Sequence, residues 1–223
     1  MTQTHSLPRG ILFDLDGTLI DTAPDFHRVL NIHRNRHGLE ALAFPVVRQA
    51  VSEGARAMVK LGFDVSEDHP DFAALRQEFL DLYLDNICID SGLFPGFAPL
   101  LEDLDKRGIS WGIVTNKPRL YSEALLEALG LASIAVLVCP DDVTRTKPDP
   151  EPLLKAATTL DLPPSSLWYV GDHVRDIEAG RNAGMKTVAA AYGYIPGHDN
   201  IENWSADYII RQPQDLSSLL MAS

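Results

Sequence analysis

The chain has 223 residues and a mass of 24.5 kDa, enough for one sizeable core or for a core domain carrying a smaller accessory one. A formal net charge of -12 and a sequence pI near 4.9 exclude the basic face of a nucleic-acid binder, and 45% hydrophobic with 22% charged residues excludes wholesale disorder. Two distant cysteines, Cys88 and Cys139, show no CxxC spacing, so reduced thiols and a cytoplasmic protein are expected.

The amino terminus, "MTQTHSLPRG", lacks the apolar centre of a signal peptide, and no run approaches the ~18 apolar residues that span a bilayer, so no membrane partner is expected. "GILFD" is a short apolar run closed by turn residues and predicts a buried strand. After Thr22 the spacing turns helical: Pro24 suits a first turn, Phe26, Val29, Leu30 and Ile32 share a face, and Asp21 reads as the amino-terminal cap. Helical spacing continues through "SEGARAMVKLGF" and "DFAALRQEFLDLYLDNI". "LFPGFAPLLEDLDKRG" then gives a Pro-Gly turn and an amphipathic helix ended by Gly108.

Strands and helices alternate from there. "SWGIVTN", "IAVLVC", "SLWYVGD", "KTVAAAYG" and "ADYIIR" predict strands; "RLYSEALLEALG", "DPEPLLKAATTLDL" and "DIEAGRNAG" predict helices, with a "DLSSLL" tail. This alternation predicts an α/β fold, a Rossmann-like parallel sheet covered on both faces. The all-helical stretch interrupts it after the first strand. The expected organisation is therefore a core of residues 1–20 and 92–223 with an inserted helical cap at 21–91, hinged near Thr22 and Gly92.

In an open parallel sheet, ligands bind beyond the carboxyl ends of the strands, where strand order reverses. Asp14, Thr115 and Asp172 end three separate apolar runs and should converge there. Clustered carboxylates repel one another unless a cation neutralises them, and a hard ion with oxygen ligands, Mg²⁺, is the economical solution. Asp14 could then attack the phosphorus of a small phosphate ester, while Asp16, two residues on, gives and takes the proton. Thr115 and the backbone NH groups around Asn116 could donate to the phosphoryl oxygens; Lys147, stiffened by Pro148 and Pro150, could supply charge. Asp172 reads as a metal ligand and Asp176, four residues on, as a support that orients a metal water or Lys147.

Other polar residues leave two readings open. Arg56 is either a fork for a substrate carboxylate or an exposed helix-face arginine, and Lys117 faces either the pocket or solvent. His33 and His37, four apart on the presumed cap, read as solvated helix-face histidines, with zinc ligation as the lesser alternative. Besides a monoesterase, the same residues suit a mutase that passes the phosphoryl group to a second hydroxyl, or a phosphate-responsive module without turnover.

Together "DLDGT", Thr115 in "VTN", Lys147 in "KPDP" and "GDHVRD" resemble the four ordered motifs of the haloacid dehalogenase superfamily, and they span nearly the whole chain. The resemblance implies a Rossmann-like core with a cap inserted after the first strand. It implies Asp14 as nucleophile, Asp16 as acid/base, and Mg²⁺ held by the Asp14 carboxylate, the Asp16 carbonyl and Asp172. Asp16 sets the chain apart from the dehalogenases, which lack that second aspartate. Within the superfamily the chain is similar to the phosphoglycolate phosphatase group, and closer still to its N-acetylmuramic acid 6-phosphate branch. "EGARAMV", "CPDDVTRTKPDPEP" and "YGYIPGHDNIENWSAD" are among the stretches that carry this second likeness. Both implied substrates are small carboxylated phosphate esters, and the resemblance leaves monomer and homodimer open. Two residues depart from the group's pattern: Glu53, where glycine is expected, and His173, where Ser or Thr is common.

Overall fold

The apolar runs become strands wherever they can be covered from both sides. In chain order the elements begin with β1 (Gly10–Phe13), β2 (Ile20–Asp21), α1 (Ala23–Arg36), α2 (Phe44–Arg48), α3 (Gly54–Phe63), α4 (Phe72–Asp85) and β3 (Gly92–Leu93). Then follow α5 (Phe97–Arg107), β4 (Ser110–Val114), α6 (Arg119–Ala128), β5 (Leu137–Val138) and α7 (Glu151–Thr159). The chain closes with β6 (Leu167–Gly171), α8 (Val174–Asn182), β7 (Lys186–Ala190), β8 (Tyr208–Ile210) and α9 (Pro213–Met221). This computed structural model describes residues 7–132, 134–197 and 199–221. Residues 1–6, on which most of the leader reading rests, lie outside them.

Six parallel strands form one sheet in the order β5-β4-β1-β6-β7-β8. Side chains alternate across it, so Ile11, Phe13, Val170 and Val188 pack on one face with Phe97 and Leu104 of α5 and Leu216 of α9. On the other face Leu12, Val114 and Tyr169 meet Leu153 and Ala156 of α7 and Ala179 of α8. Both faces being covered, the strands read as continuous apolar runs. β1 lies between β4 and β6, with Phe13 paired to both Ile113 and Val170, which makes the crevice beyond the β1 tip the switch point of the sheet. Gly108, at φ 67°, ends α5 in the left-handed conformation that glycine adopts without strain.

Between β2 and β3 the helices α1 to α4 pack on one another. Phe26, Val29 and Leu30 of α1 are buried with Phe79 and Tyr83 of α4, and this apolar cluster is continuous with that on the first face of the sheet. β2 and β3 pair antiparallel, Asp21 opposite Gly92, so the chain enters and leaves the helical segment side by side. Asp25, wholly buried at the start of α1, fastens the return: its carboxylate accepts from the backbone NH of Ile89, Asp90 and Ser91.

Three expectations need correction. Asp21 does not cap α1; it lies in β2 and accepts a hydrogen bond from the Tyr194 hydroxyl at 2.6 Å, while Thr22 occupies the cap position but gives its hydroxyl to Asp16 and makes no side-chain capping bond. The run "IAVLVC" forms only the two-residue edge strand β5, because beyond β4 it has a partner on one side alone. His33 is not solvated but fully buried. The cysteines are free thiols, and burial pushes Cys139 up to about 11. Among the described residues, no helix is long and apolar enough to cross a membrane.

Candidate active site

Each strand tip delivers one polar group to the switch point. Asp14 follows β1, its NH still bonded to the Val170 carbonyl at 2.8 Å; Thr115 follows β4, its NH on Val138 O at 3.0 Å; Asp172 follows β6. The ladder therefore fixes their backbones one residue past the end of each strand. Asp14, Asp172 and Asp176 each place a carboxylate oxygen within 4.8 Å of the others, and all three are buried.

A buried lysine faces this cluster. Lys147, 3% exposed, puts its ammonium 2.9 Å from Asp14 Oδ1 and 2.7 Å from Asp176 Oδ1, and also donates to the Tyr169 hydroxyl at 2.7 Å and to Val114 O at 3.1 Å. Burial opposes charge on Lys147, yet Asp14 and Asp176 more than offset it and hold the ammonium above its ordinary range. For the carboxyls burial prevails. It pushes Asp14 up to about 6 against the pull of Lys147, and lifts Asp172, with the repulsion of Asp14 and Asp176, to about 8. Arg175, whose guanidinium the same three acids hold above its ordinary range, adds a second positive charge, yet burial still raises Asp14 and Asp172, so their ionised forms remain costly at the tip of the sheet.

The surroundings fit a small hard cation there. All the acidic donors are oxygens. Asp172 is held by Thr18 Oγ1 at 3.1 Å and by the Tyr194 NH at 2.7 Å, and the chain closes around it so tightly that a Cβ on Gly17 or Gly193 would stand 2.2 Å from its side chain. Leu15 NH and Lys147 both engage Oδ1 of Asp14, and among the described residues Oδ2 has no hydrogen-bond partner. Asp176 accepts from the His173 NH at 3.1 Å and meets Lys147, so it lies beside the lysine as well as within the acidic cluster.

Asp16 is set apart from these acids. Its Oδ1 accepts from Thr22 Oγ1 at 2.6 Å and from Lys117 Nζ at 3.0 Å, and the residue lines a cleft of about 290 Å³ between the sheet tips and the helical segment. Lys117 thus faces the cleft, not solvent; it also bonds the Tyr83 hydroxyl of α4 at 3.0 Å and lies over the Phe26 and Tyr83 rings. Burial disfavours its charge, but Asp16 and Tyr83 hold the ammonium above its usual range, and burial pushes the Tyr83 phenol up to about 12. Thr115 lines the same cleft, its Oγ1 accepting from the Lys117 NH at 3.1 Å. Asn116 uses its side chain on the Lys147 backbone, donating to the carbonyl at 3.1 Å and accepting from the NH at 3.2 Å.

Arg56 stands at the rim with a side chain 64% exposed, paired with Glu67 at 2.7 Å. Sequence reasoning missed Arg76 of α4, which lines the cleft and whose buried Nε has no hydrogen-bond partner among the described residues. An arginine on an amphipathic helix reads as solvent-facing, so no sequence signal singles it out. It also missed Tyr83, which looks like a core aromatic. The two departures from the group's pattern meet: Glu53 Oε1 lies 3.2 Å from His173 Nε2 and 3.4 Å from Arg175 Nη1, joining the turn before α3 to the start of α8. They form a contact across the mouth of the cleft.

An aspartate at the central tip of a six-stranded parallel sheet, faced by a lysine and two further acids, defines a class of α/β hydrolase. Residues 11–190 match the family described as haloacid dehalogenase-like hydrolase, and the chain belongs to that family. It is 48% identical to the N-acetylmuramic acid 6-phosphate phosphatase of Pseudomonas aeruginosa, over 95% of this chain and 94% of that protein. It is 41% identical to a phosphoglycolate phosphatase of Xanthomonas campestris pv. campestris, over 94% of this chain and 95% of that one. A crystal structure described as a predicted phosphoglycolate phosphatase from Haemophilus somnus superposes with a TM-score of 0.84 at 27% identity, covering 96% of this chain and 98% of the other.

Proposed function

We propose that the chain is a Mg²⁺-dependent phosphomonoesterase acting on a small carboxylated phosphate ester, N-acetylmuramic acid 6-phosphate, in peptidoglycan recycling in the cytoplasm. The observation that carries this reading is the buried cluster of Asp14, Asp172 and Asp176 around Lys147 at the floor of the cleft. Similarity to the Pseudomonas aeruginosa phosphatase supports the substrate. A cleft of about 290 Å³ also suits a sugar-sized ester better than a two-carbon one.

In the proposed reaction Asp14 attacks phosphorus, forming a carboxylate–phosphorus bond as the ester P–O bond breaks. Asp16 gives its proton to the departing alkoxide. Water then attacks the aspartyl phosphate, and Asp16 takes the proton back, releasing phosphate and free Asp14. Lys117 and Thr22 orient Asp16 between these steps. Thr115 donates to the phosphoryl oxygens, with the NH groups around Asn116, and Lys147 balances their charge while Asp176 and Asn116 hold it in place. The Asp14 carboxylate, the Asp16 carbonyl and Asp172 would hold Mg²⁺, which neutralises repulsion between the carboxylate and the incoming phosphate when bound. Residues 1–20 and 92–223 form the core in this reading, with residues 21–91 as a cap that covers the substrate.

The carboxylate of the substrate needs a cation at the cap side. Arg76, with its unpartnered buried Nε, fills that role more directly than the already paired Arg56, which assists from the rim. Arg76→Ala should raise KM for the carboxylated ester about tenfold with a smaller change in kcat. An unchanged KM in steady-state kinetics would release Arg76 from the site.

Hydrolysis of 2-phosphoglycolate is the second reading, favoured by the 41% identity to the Xanthomonas protein. The decisive measurement compares kcat/KM for N-acetylmuramic acid 6-phosphate and 2-phosphoglycolate on one preparation, by phosphate release, before and after chelation. A large preference for the sugar ester, lost with chelator and restored by Mg²⁺, is expected. The reverse preference selects the second reading; chelator-resistant turnover removes the metal, and no release from either ester removes the monoesterase.

A further inference from the structure

α1 and α4 pack side by side, and a second set of ligand-type side chains lies between them, away from the cleft. His33 and His37 stand one turn apart at the carboxyl end of α1, and Glu78 faces both from α4. Glu78 Oε2 is 3.3 Å from His33 Nε2 and 3.0 Å from His37 Nε2, and one donor atom from each residue lies within 4.8 Å of the other two. Four-coordinate zinc with bonds of about 2.0–2.2 Å places neighbouring donors roughly 3.3–3.5 Å apart, close to the 3.3 Å and 3.0 Å that separate Glu78 Oε2 from the two imidazoles.

His33 supplies an independent sign. It is 0% exposed, enclosed by Phe63 at a ring separation of 4.5 Å and by Phe79 at 6.3 Å, and neither of its ring nitrogens has a hydrogen-bond partner. Its Nε2 lies beside the carboxylate without hydrogen-bond geometry. Buried polar groups are nearly always partnered, and an imidazole nitrogen left bare against a second imidazole and a carboxylate lacks its natural partner, a cation.

We propose that His33, His37 and Glu78 bind one divalent transition-metal ion of the zinc class, with the fourth position open to water, and that this ion staples α1 to α4. Two imidazoles and one carboxylate select zinc-like ions over Mg²⁺, which prefers oxygen alone. Histidines four apart on a helix present both rings to one face. Arg36 Nη1 stands 3.7 Å from Glu78 Oε1, and Oε2 shares a hydrogen bond with His37 Nε2 at 3.0 Å, a contact the ion would replace. The side chains of His37 and Glu78 are 40% and 34% exposed, which opens a path for entry, and none of the three residues lines the catalytic cleft.

The test uses the full chain in millimolar Mg²⁺, so that the acids at the sheet tip are not left to the added ion. Zn²⁺ binding is followed by equilibrium dialysis, Co²⁺ binding by its visible d–d absorption, and thermal unfolding is recorded with and without zinc. One equivalent of zinc, a Co²⁺ spectrum of four-coordinate intensity and a raised Tm are expected. His37→Ala and Glu78→Gln, both at partly exposed positions, should weaken binding about 10- to 100-fold or more and abolish the Tm shift, with phosphate-ester turnover unchanged. No bound zinc at micromolar concentrations, or equally tight binding in both variants, would overturn the site.

Discussion

Asp14→Asn is expected to lower turnover by about three orders of magnitude or more, the scale on which removal of a nucleophile acts, while the protein remains folded. The amide has nearly the same shape, so the Leu15 NH, 2.8 Å from Oδ1, keeps an acceptor. What changes is charge. Burial already lifts the Asp14 carboxyl to about 6, and Asp176 adds repulsion, so ionised Asp14 remains costly even beside Lys147. The neutral variant relieves that repulsion and leaves Lys147 paired with Asp176 at 2.7 Å. Its Tm without Mg²⁺ should therefore equal or exceed that of the parent. Single-turnover phosphate release and thermal unfolding on the same sample separate the two effects; an active amide variant would dismiss residue 14 as nucleophile, and a collapsed one would show that the carboxylate is structural.

Lys147→Met produces the opposite balance. The ammonium is the cation closest to three buried carboxyls, and removing one partner of a buried ion pair costs about 3–5 kcal/mol. For a chain of this size that corresponds to a fall in Tm of roughly 10 °C. The loss should depend on pH in a defined direction. The Asp172 carboxyl rises from its ordinary 3.8 to about 8 in the folded chain, so the folded state binds its proton more tightly than the unfolded state does. The stability that Asp172 contributes is then full below about 4 and is lost as pH climbs through about 8, and Mg²⁺ should restore more of it at the upper end. A Tm that ignores both the substitution and Mg²⁺ would mean that the lysine does not balance these acids.

How far the sequence could be read follows from where each feature gets its cause. Asp14, Thr115 and Asp172 were legible because a strand tip is a local property: an apolar run ends, a polar residue follows, and parallel pairing aligns the ends. Lys147 was legible through the turn that carries it. The β2–β3 pairing was not, since each strand has two residues and its partner lies some seventy positions away. Asp21 looked like a helix cap because Asp before a helical run usually is one, and only the fold brings Tyr194 to it. Arg76 and His33 failed for a shared reason: helical spacing defines a face but not what that face meets. The Glu53–His173 contact was legible only as two separate departures from a pattern.

The antiparallel pairing of Asp21 with Gly92 has a consequence for how such a protein can change over evolutionary time. Asp21 and Gly92 lie at neighbouring backbone positions, so the seventy or so residues between them leave and rejoin the sheet side by side, while their apolar cluster and the Lys117 bond to Tyr83 hold them against it elsewhere. In the proposed reading of these residues as a cap, their length can vary between entry and exit while the strand order of the sheet is kept. On that proposed division, substrate choice and bond-breaking chemistry can diverge at different rates within one polypeptide.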